Sequence, residues 1–435
     1  MILTVTWNGV KVGGGLLVDP LTAFAFACVC MHVTLNRRTV TLPTWLLLAG
    51  VGLVLAALLT VIFPPRLELL RNPTLQLVQA TGGAATIPAR SNIGSVLKFE
   101  VALILFPLMI AAVATTPRRC SRLADLWAIS ALISAATGVA DFAGVVHLVP
   151  VPYAPPGREA GLAFQANHLA LTCAMALPIT ILWSVRSMRW RCAAWLGASV
   201  LLGGVYASGS RAGTVGAVGA VVTTVAAVPR LRRWLGVTLP VAGIGVILLL
   251  SFTSAGAQII SHARLNSGNA NALLSNGQRD LVAQTALDDI RARPIEGVGF
   301  TVIDDAHDIY LQLLASGGVI ALAAFAAFCA GLIKSSRLAF GGTQRDEAIA
   351  LAIAVVVWLV SGLVDNQVAD RYLYVAPALL VAMAGVAVGR GGTCAPTPAL
   401  LEPTLILRRL RPREWRQVAA RGASRPSKES APGRR

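Results

Sequence analysis

The sequence predicts an all-α, polytopic membrane protein with about 11–12 transmembrane helices and one large periplasmic loop. Three observations lead there. The 435 residues are 55% hydrophobic and only 13% charged, about half of the roughly 25% charged residues typical of a soluble domain. Mean hydropathy is +0.69. Apolar runs of membrane-spanning length, about 17–25 residues, recur along the chain, and the short basic clusters fall in every second connection between them.

Apolar runs read against breakers give eleven helices: 16–35, 43–63, 96–116, 123–147, 166–185, 192–208, 212–228, 235–254, 308–333, 348–364 and 371–389. The first 15 residues are ambiguous, and a twelfth helix at the N-terminus is missing or degenerate. The basic clusters are Arg37-Arg38, Arg118-Arg119 with Arg122, the arginines of "RSMRWR", those of "RLRR" at 230–233, Lys334 with Arg337 and Arg345, and the tail. The positive-inside rule places all of them in the cytoplasm. The connections 64–95, 150–165, 209–211, 255–307 and 365–370 then face outward.

The long loop 255–307 contains "SNGQRDLVAQTALDDIRARP", read as a helix capped by Ser275 or Asn276 and stopped by Pro294. Residues 1–389 form the membrane domain, and 390–435 a basic, disordered cytoplasmic tail. That tail holds eleven Lys/Arg against three acids, hence +8 of the net +17. No basic stretch is interleaved with aromatics, so nucleic acid is not a partner. The seven cysteines form no CxxC pair and have no histidine nearby at ligand spacing, which argues against a disulfide framework or a zinc site. The N-terminus lacks the basic start and cleavage site of a removable signal peptide.

Four outward-facing features have chemical potential. "YASGSRAGTVGAVGAVV" sets Arg211 in a Ser/Gly turn at a helix start, where free N–H groups and the helix dipole favour an anion. Snorkelling to headgroups is the alternative, while close helix packing explains Gly209, Gly213, Gly216 and Gly219. Arg279 lies on the loop helix beside Asp280, where an ordinary solvated ion pair is the plain alternative. "GREAGLAFQANHLA" supplies Arg158, then Asn167 and His168 at a helix entrance. "DDAHDIYLQLLASGG" places His307 among Asp304, Asp305 and Asp308. Capping of the following helix explains Asp304 and Asp305. A magnesium site, which needs one or two carboxylates and substrate phosphate, is the competing reading.

In their order and spacing "GREAGLAFQANHLA", "SGSRAG", "GQRDLVAQTALDDIRARPIEGVGF" and "AHDIYLQLLASGGVIAL" resemble the O-antigen ligase family and the related O-antigen polymerases, over roughly residues 155 to 335. Asp308 stands where the family commonly has Asn, and Ala166 where it often has Pro. The resemblance implies a glycosyltransferase of the multi-spanning GT-C type in the bacterial inner membrane, with its active site facing the periplasm. It would move a glycan from undecaprenyl diphosphate to a hydroxyl of lipid A–core, with inversion and with neither metal nor cofactor. It also implies His307 as general base and Arg211, Arg279 and, more weakly, Arg158 on the diphosphate. Asp308, Asp305, Tyr310, His168 and Asn167 would support them. Polymerisation of lipid-linked repeats and protein O-glycosylation share this chemistry. A lipid-glycan transporter and a non-catalytic envelope scaffold are readings of another class.

Overall fold

The computed structural model describes residues 1–12, 15–36, 40, 42–64, 89–146, 157–236, 253, 270–300, 307–365, 367–368 and 370–391. The chain divides into two units, Met1–Thr397 and Pro398–Arg435, and every described residue belongs to the first.

The N-terminal segment is a 3₁₀ turn, Ile2–Thr4, followed by a two-residue hairpin of β1 (Lys11–Val12) and β2 (Gly15–Leu16). No further helix stands there. The helices are α1 (Val18–Leu35), α2 (Thr44–Ile62), α3 (Ala89–Glu100), α4 (Phe106–Val113), α5 (Pro117–Phe142), α6 (Ala166–Arg186), α7 (Arg191–Ser208) and α8 (Arg211–Ala227). The remainder are α9 (Pro229–Leu235), α10 (Ala270–Ala292), α11 (Ile309–Phe340), α12 (Arg345–Ser361) and α13 (Val375–Gly391). A π-helical turn, Val101–Leu105, joins α3 to α4.

Seven of these segments are long and apolar enough to cross a membrane: α1, α2, Ile93–Val113, α5, α6, α11 and Arg371–Gly389. Helices α7, α8 and α12 have 18, 17 and 17 residues and occupy three more of the expected positions. Seventeen residues rise about 26 Å, close to the roughly 30 Å of a bilayer core. The expected helix at 235–254, Arg37-Arg38 and the tail fall outside the described residues.

Helix α6 is the centre of the bundle. Its apolar window is 94% buried, and α5, α7, α8 and α12 pack around it. Small residues let the backbones approach, as membrane helix packing requires. A Cβ on Gly213 of α8 would lie 2.3 Å from that of Ala170 on α6. A second group of helices, α2, α11 and α13, packs side by side.

Helix α11 is two helices joined at a break. Gly317 (φ −129°, ψ 16°) and Gly318 (φ 65°, ψ −164°) leave helical geometry. In an unbroken helix the Val319 N–H would bond to the Ala315 carbonyl. Here it donates to the Pro294 carbonyl at 2.9 Å, and the Ala315 carbonyl accepts the Val298 N–H at 2.9 Å. The Ser316 carbonyl likewise accepts the Gly299 N–H at 2.8 Å. The segment "PIEGVG" thus completes the hydrogen bonding that the break removes, as buried backbone in a membrane protein demands.

Two expectations about helix ends need correction. Helix α10 begins at Ala270, so Ser275 and Asn276 lie inside it rather than at its start. The alanines and leucines of "ANALL" have enough helix propensity to extend it N-terminally. Helix α11 is capped by Asp308, whose carboxylate accepts from Tyr310 N at 2.8 Å and Leu311 N at 3.0 Å. Asp304 and Asp305 lie outside the described residues. His307, at φ 51°, prevents the helix from starting any earlier.

Gly318 has backbone angles that only glycine adopts without strain, and a Cβ there would lie 1.9 Å from the Ile295 carbonyl oxygen. Gly318→Ala is expected to cost about 3 kcal/mol, read as a lowered midpoint of thermal unfolding in detergent. An unchanged midpoint would show that the clamp does not support the fold.

Candidate functional site

A cavity of about 770 Å³ opens at the end of the bundle where α6 and α8 begin and α7 and α12 end. Its mouth is lined by Arg158, Asn167, Arg211 and Arg279. Its body runs between two apolar walls. One is α8, with Ala212, Val215, Gly216, Gly219 and Thr223; the other is α12 and the turn after it, from Ile353 to Val364. From Arg211 to Thr223 the α8 wall is about 18 Å long. Val215, Val356 and Val360 are each more than half exposed, so the groove is open along its side. Of the glycines in α8, Gly213 serves packing, whereas Gly216 and Gly219 line the groove and leave it width.

Each arginine is placed by a different part of the fold. Arg158 lies in the loop before α6, where its Nε donates to the Ser208 carbonyl and its guanidinium to Asn167 Oδ1, both at 2.7 Å. The carbonyl at the C-terminal end of α7 and the amide in the first turn of α6 therefore aim it. Arg211 is the first residue of α8, whose N-cap Ser210 accepts from Gly213 N at 3.3 Å. Arg279 comes from α10. That helix packs Ala286, Val282 and Ile290 against Ala315 and Leu311 of the short first half of α11.

The electrostatics favour an anion at the mouth. Burial is the largest influence on Arg279 and lowers its pKa, the nearby Arg211 lowers it further, and Asp365 acts in the opposite direction. Asp280, the expected ion-pair partner of Arg279, is exposed. The Nε–H of Arg279 is buried and donates to no described group. Two like charges held together at a partly buried site attract a multivalent anion, and forked guanidinium groups match phosphate oxygens.

Asp365 has no place in the sequence reading, which treats 365–370 as a plain turn. The residue is 4% exposed. Its Oδ2 accepts from Gln367 Nε2 at 2.6 Å, and Gln367 is held in turn by Tyr372 and by Trp358 Nε1, which donates to its carbonyl at 3.1 Å. The available signal was an acid buried between two membrane helices, a rare and costly arrangement.

His307 does not line the cavity. It precedes the cap of α11, where Ile309 N donates to the Gly362 carbonyl at 2.8 Å and Tyr310 Oη to the Leu359 carbonyl at 2.8 Å. Both bonds tie the His307 turn to the stretch of α12 that forms the cavity wall. A left-handed backbone at a non-glycine residue marks a conformation imposed by its surroundings. His168 points elsewhere, towards Asn8 and Asp370.

Residues 196–326 match the family model described as O-Antigen ligase. Over that segment, less than a third of the chain, the protein is similar to the O-antigen ligase family. The match supports an enzyme of the ligase/polymerase type, and the matched segment includes Arg211, Arg279 and His307 but not Arg158. A search of curated proteins gives no match.

The Arg211–Arg279 pair carries its own test. Arg211→Gln relieves the repulsion and is expected to stabilise the anion-free protein by up to about 1 kcal/mol. Inorganic diphosphate is expected to raise the unfolding temperature of the wild type, and Arg211→Gln should abolish that rise. A variant that is less stable, or still stabilised by diphosphate, would contradict the anion site.

Proposed function

We propose that this protein is a glycosyltransferase of the O-antigen ligase type in the bacterial inner membrane. It moves a glycan from undecaprenyl diphosphate to a hydroxyl of lipid A–core on the periplasmic side. One observation carries the reading: Arg158, Arg211 and Arg279 meet at the mouth of an apolar, side-open groove. A cationic head and an apolar trough fit a lipid diphosphate, and the opening to the side allows entry from the bilayer.

Orientation follows from charge. Arg118, Arg119, Arg122, Arg186, Arg189, Arg191, Lys334, Arg337 and Arg345 stand near helix ends opposite the cavity. With those residues in the cytoplasm, the cavity faces outward. No nucleotide is available there, and the lipid diphosphate is itself the activated leaving group.

In the transfer, an acceptor hydroxyl gives its proton to His307 as its oxygen attacks the anomeric carbon. The bond from that carbon to the diphosphate oxygen breaks, and its electron pair leaves with the diphosphate. The arginines stabilise the charge that develops there. Attack opposite the leaving group inverts the anomeric configuration. Permanently charged guanidinium groups provide the countercharge that a divalent ion supplies at other diphosphate sites.

Purified protein in nanodiscs, given undecaprenyl-diphosphate glycan and lipid A–core with EDTA present, should form ligated product. His307→Ala should lower the rate about 10²–10⁴-fold, the usual contribution of a general base, while donor binding persists. A donor that lengthens while lipid A–core stays unmodified would make the protein a polymerase. Donor binding without either product would favour a transporter.

A further inference from the structure

We infer that Asn8 is a positioning residue for diphosphate recognition, acting by fixing the two sides of the arginine mouth relative to each other. The inference rests on the diphosphate site proposed above. The N-terminal segment, ambiguous in the sequence, is folded into the bundle. Val5 and Thr6 are at most 1% exposed. Thr6 Oγ1 and Ser130 Oγ share a hydrogen bond at 2.6 Å, Trp7 Nε1 donates to the Ser130 carbonyl at 3.3 Å, and Gly9 N donates to the Leu162 carbonyl at 3.0 Å. These contacts deliver Asn8 to the beginning of α6.

There its side chain bridges one backbone amide and two side chains. Asn8 Oδ1 accepts the Phe164 N–H at 2.9 Å, which fixes the orientation of the amide. Its Nδ2 therefore faces two acceptors, His168 Nδ1 at 3.1 Å and Asp370 Oδ1 at 3.1 Å. An amide nitrogen only donates, so Nδ1 of His168 is the acceptor in this contact. Asp370 Oδ2 lies 3.7 Å from the same Nδ1, and the ring stands 6.1 Å from those of both Phe164 and Tyr372.

The two tethered elements are the two arms of the mouth. Phe164 and His168 flank Asn167, whose Oδ1 orients Arg158. Asp370 ends the 365–370 connection, which begins at Asp365, whose charge acts on Arg279. One amide thus joins the element that aims Arg158 to the element that neighbours Arg279. A fixed spacing between cations is what distinguishes two phosphate groups from one; a single phosphate needs only one arm.

The test is equilibrium binding of undecaprenyl diphosphate and undecaprenyl phosphate to the full chain in nanodiscs. Wild type should prefer the diphosphate. Asn8→Ala should reduce that preference about tenfold, the scale of losing hydrogen bonds to charged groups, mostly by weakening the diphosphate. Asn8→Asp, isosteric and still able to accept from Phe164 N, should do the same and covers the case in which the alanine variant fails to fold. Thr4→Ala, which removes only the hydrogen bond from Thr4 Oγ1 to the Met1 carbonyl within the N-terminal turn, should leave the preference unchanged. Neither Asn8 variant should lower the preference further once Asn167→Ala is present. A preference kept by both Asn8 variants, or lost equally in Thr4→Ala, would overturn this role and leave the site intact. Wild type without any preference would overturn the site itself, and this role with it.

Discussion

Backbone hydrogen bonds inside a membrane protein have no water to fall back on, and the architecture around the cavity follows from how one break is repaired. Helix α11 leaves helical geometry at Gly317 and Gly318, and the loop from Pro294 to Gly299 supplies both the acceptor and the donors that the break requires. The same loop ends α10, the helix that carries Arg279. The first half of α11 begins beside His307 and is bonded to α12 at Gly362 and Leu359. A local backbone repair therefore joins Arg279, the proposed base and one wall of the groove into a single set of contacts.

Against that frame stands a concentration of like charge. Arg211 and Arg279 oppose each other, and Asp365 compensates only part of the charge. Stability alone would select against such a pair. The proposed diphosphate site requires it, and in that proposal the apolar walls of α8 and α12 give the attached lipid a place to lie. Because the α8 wall is also the packing partner of α6, small residues serve two ends there. Gly213 lets two helices touch, and Gly216 and Gly219 leave space for a ligand.

The helices were legible because a membrane-spanning run is long and chemically uniform, and ten of the eleven expected positions hold helices among the described residues. The three arginines drew attention because charge is costly in such a chain. Their convergence was not readable, since it depends on how α6, α8, α10 and α12 pack. The cap of α11 was misassigned because Asp304, Asp305 and Asp308 look alike in sequence; the positive φ of His307 decides between them. Asp365, Asp370 and Asn8 were missed for another reason. Asn8 meets its partners across 160 and 362 positions of chain, and no local pattern encodes such a pairing.

The central claim is that the groove between α8 and α12 holds the isoprenoid chain of a lipid diphosphate whose head lies among the three arginines. The most direct measurement is photocrosslinking with undecaprenyl diphosphate bearing a diazirine on its isoprenoid chain, followed by peptide mapping. Labelling should concentrate in Ala212–Thr223 and Ile353–Val364 and should be displaced by unlabelled undecaprenyl diphosphate. Labelling spread over the exposed apolar faces of α1 and α2, with no displaceable fraction on α8 or α12, would contradict the account.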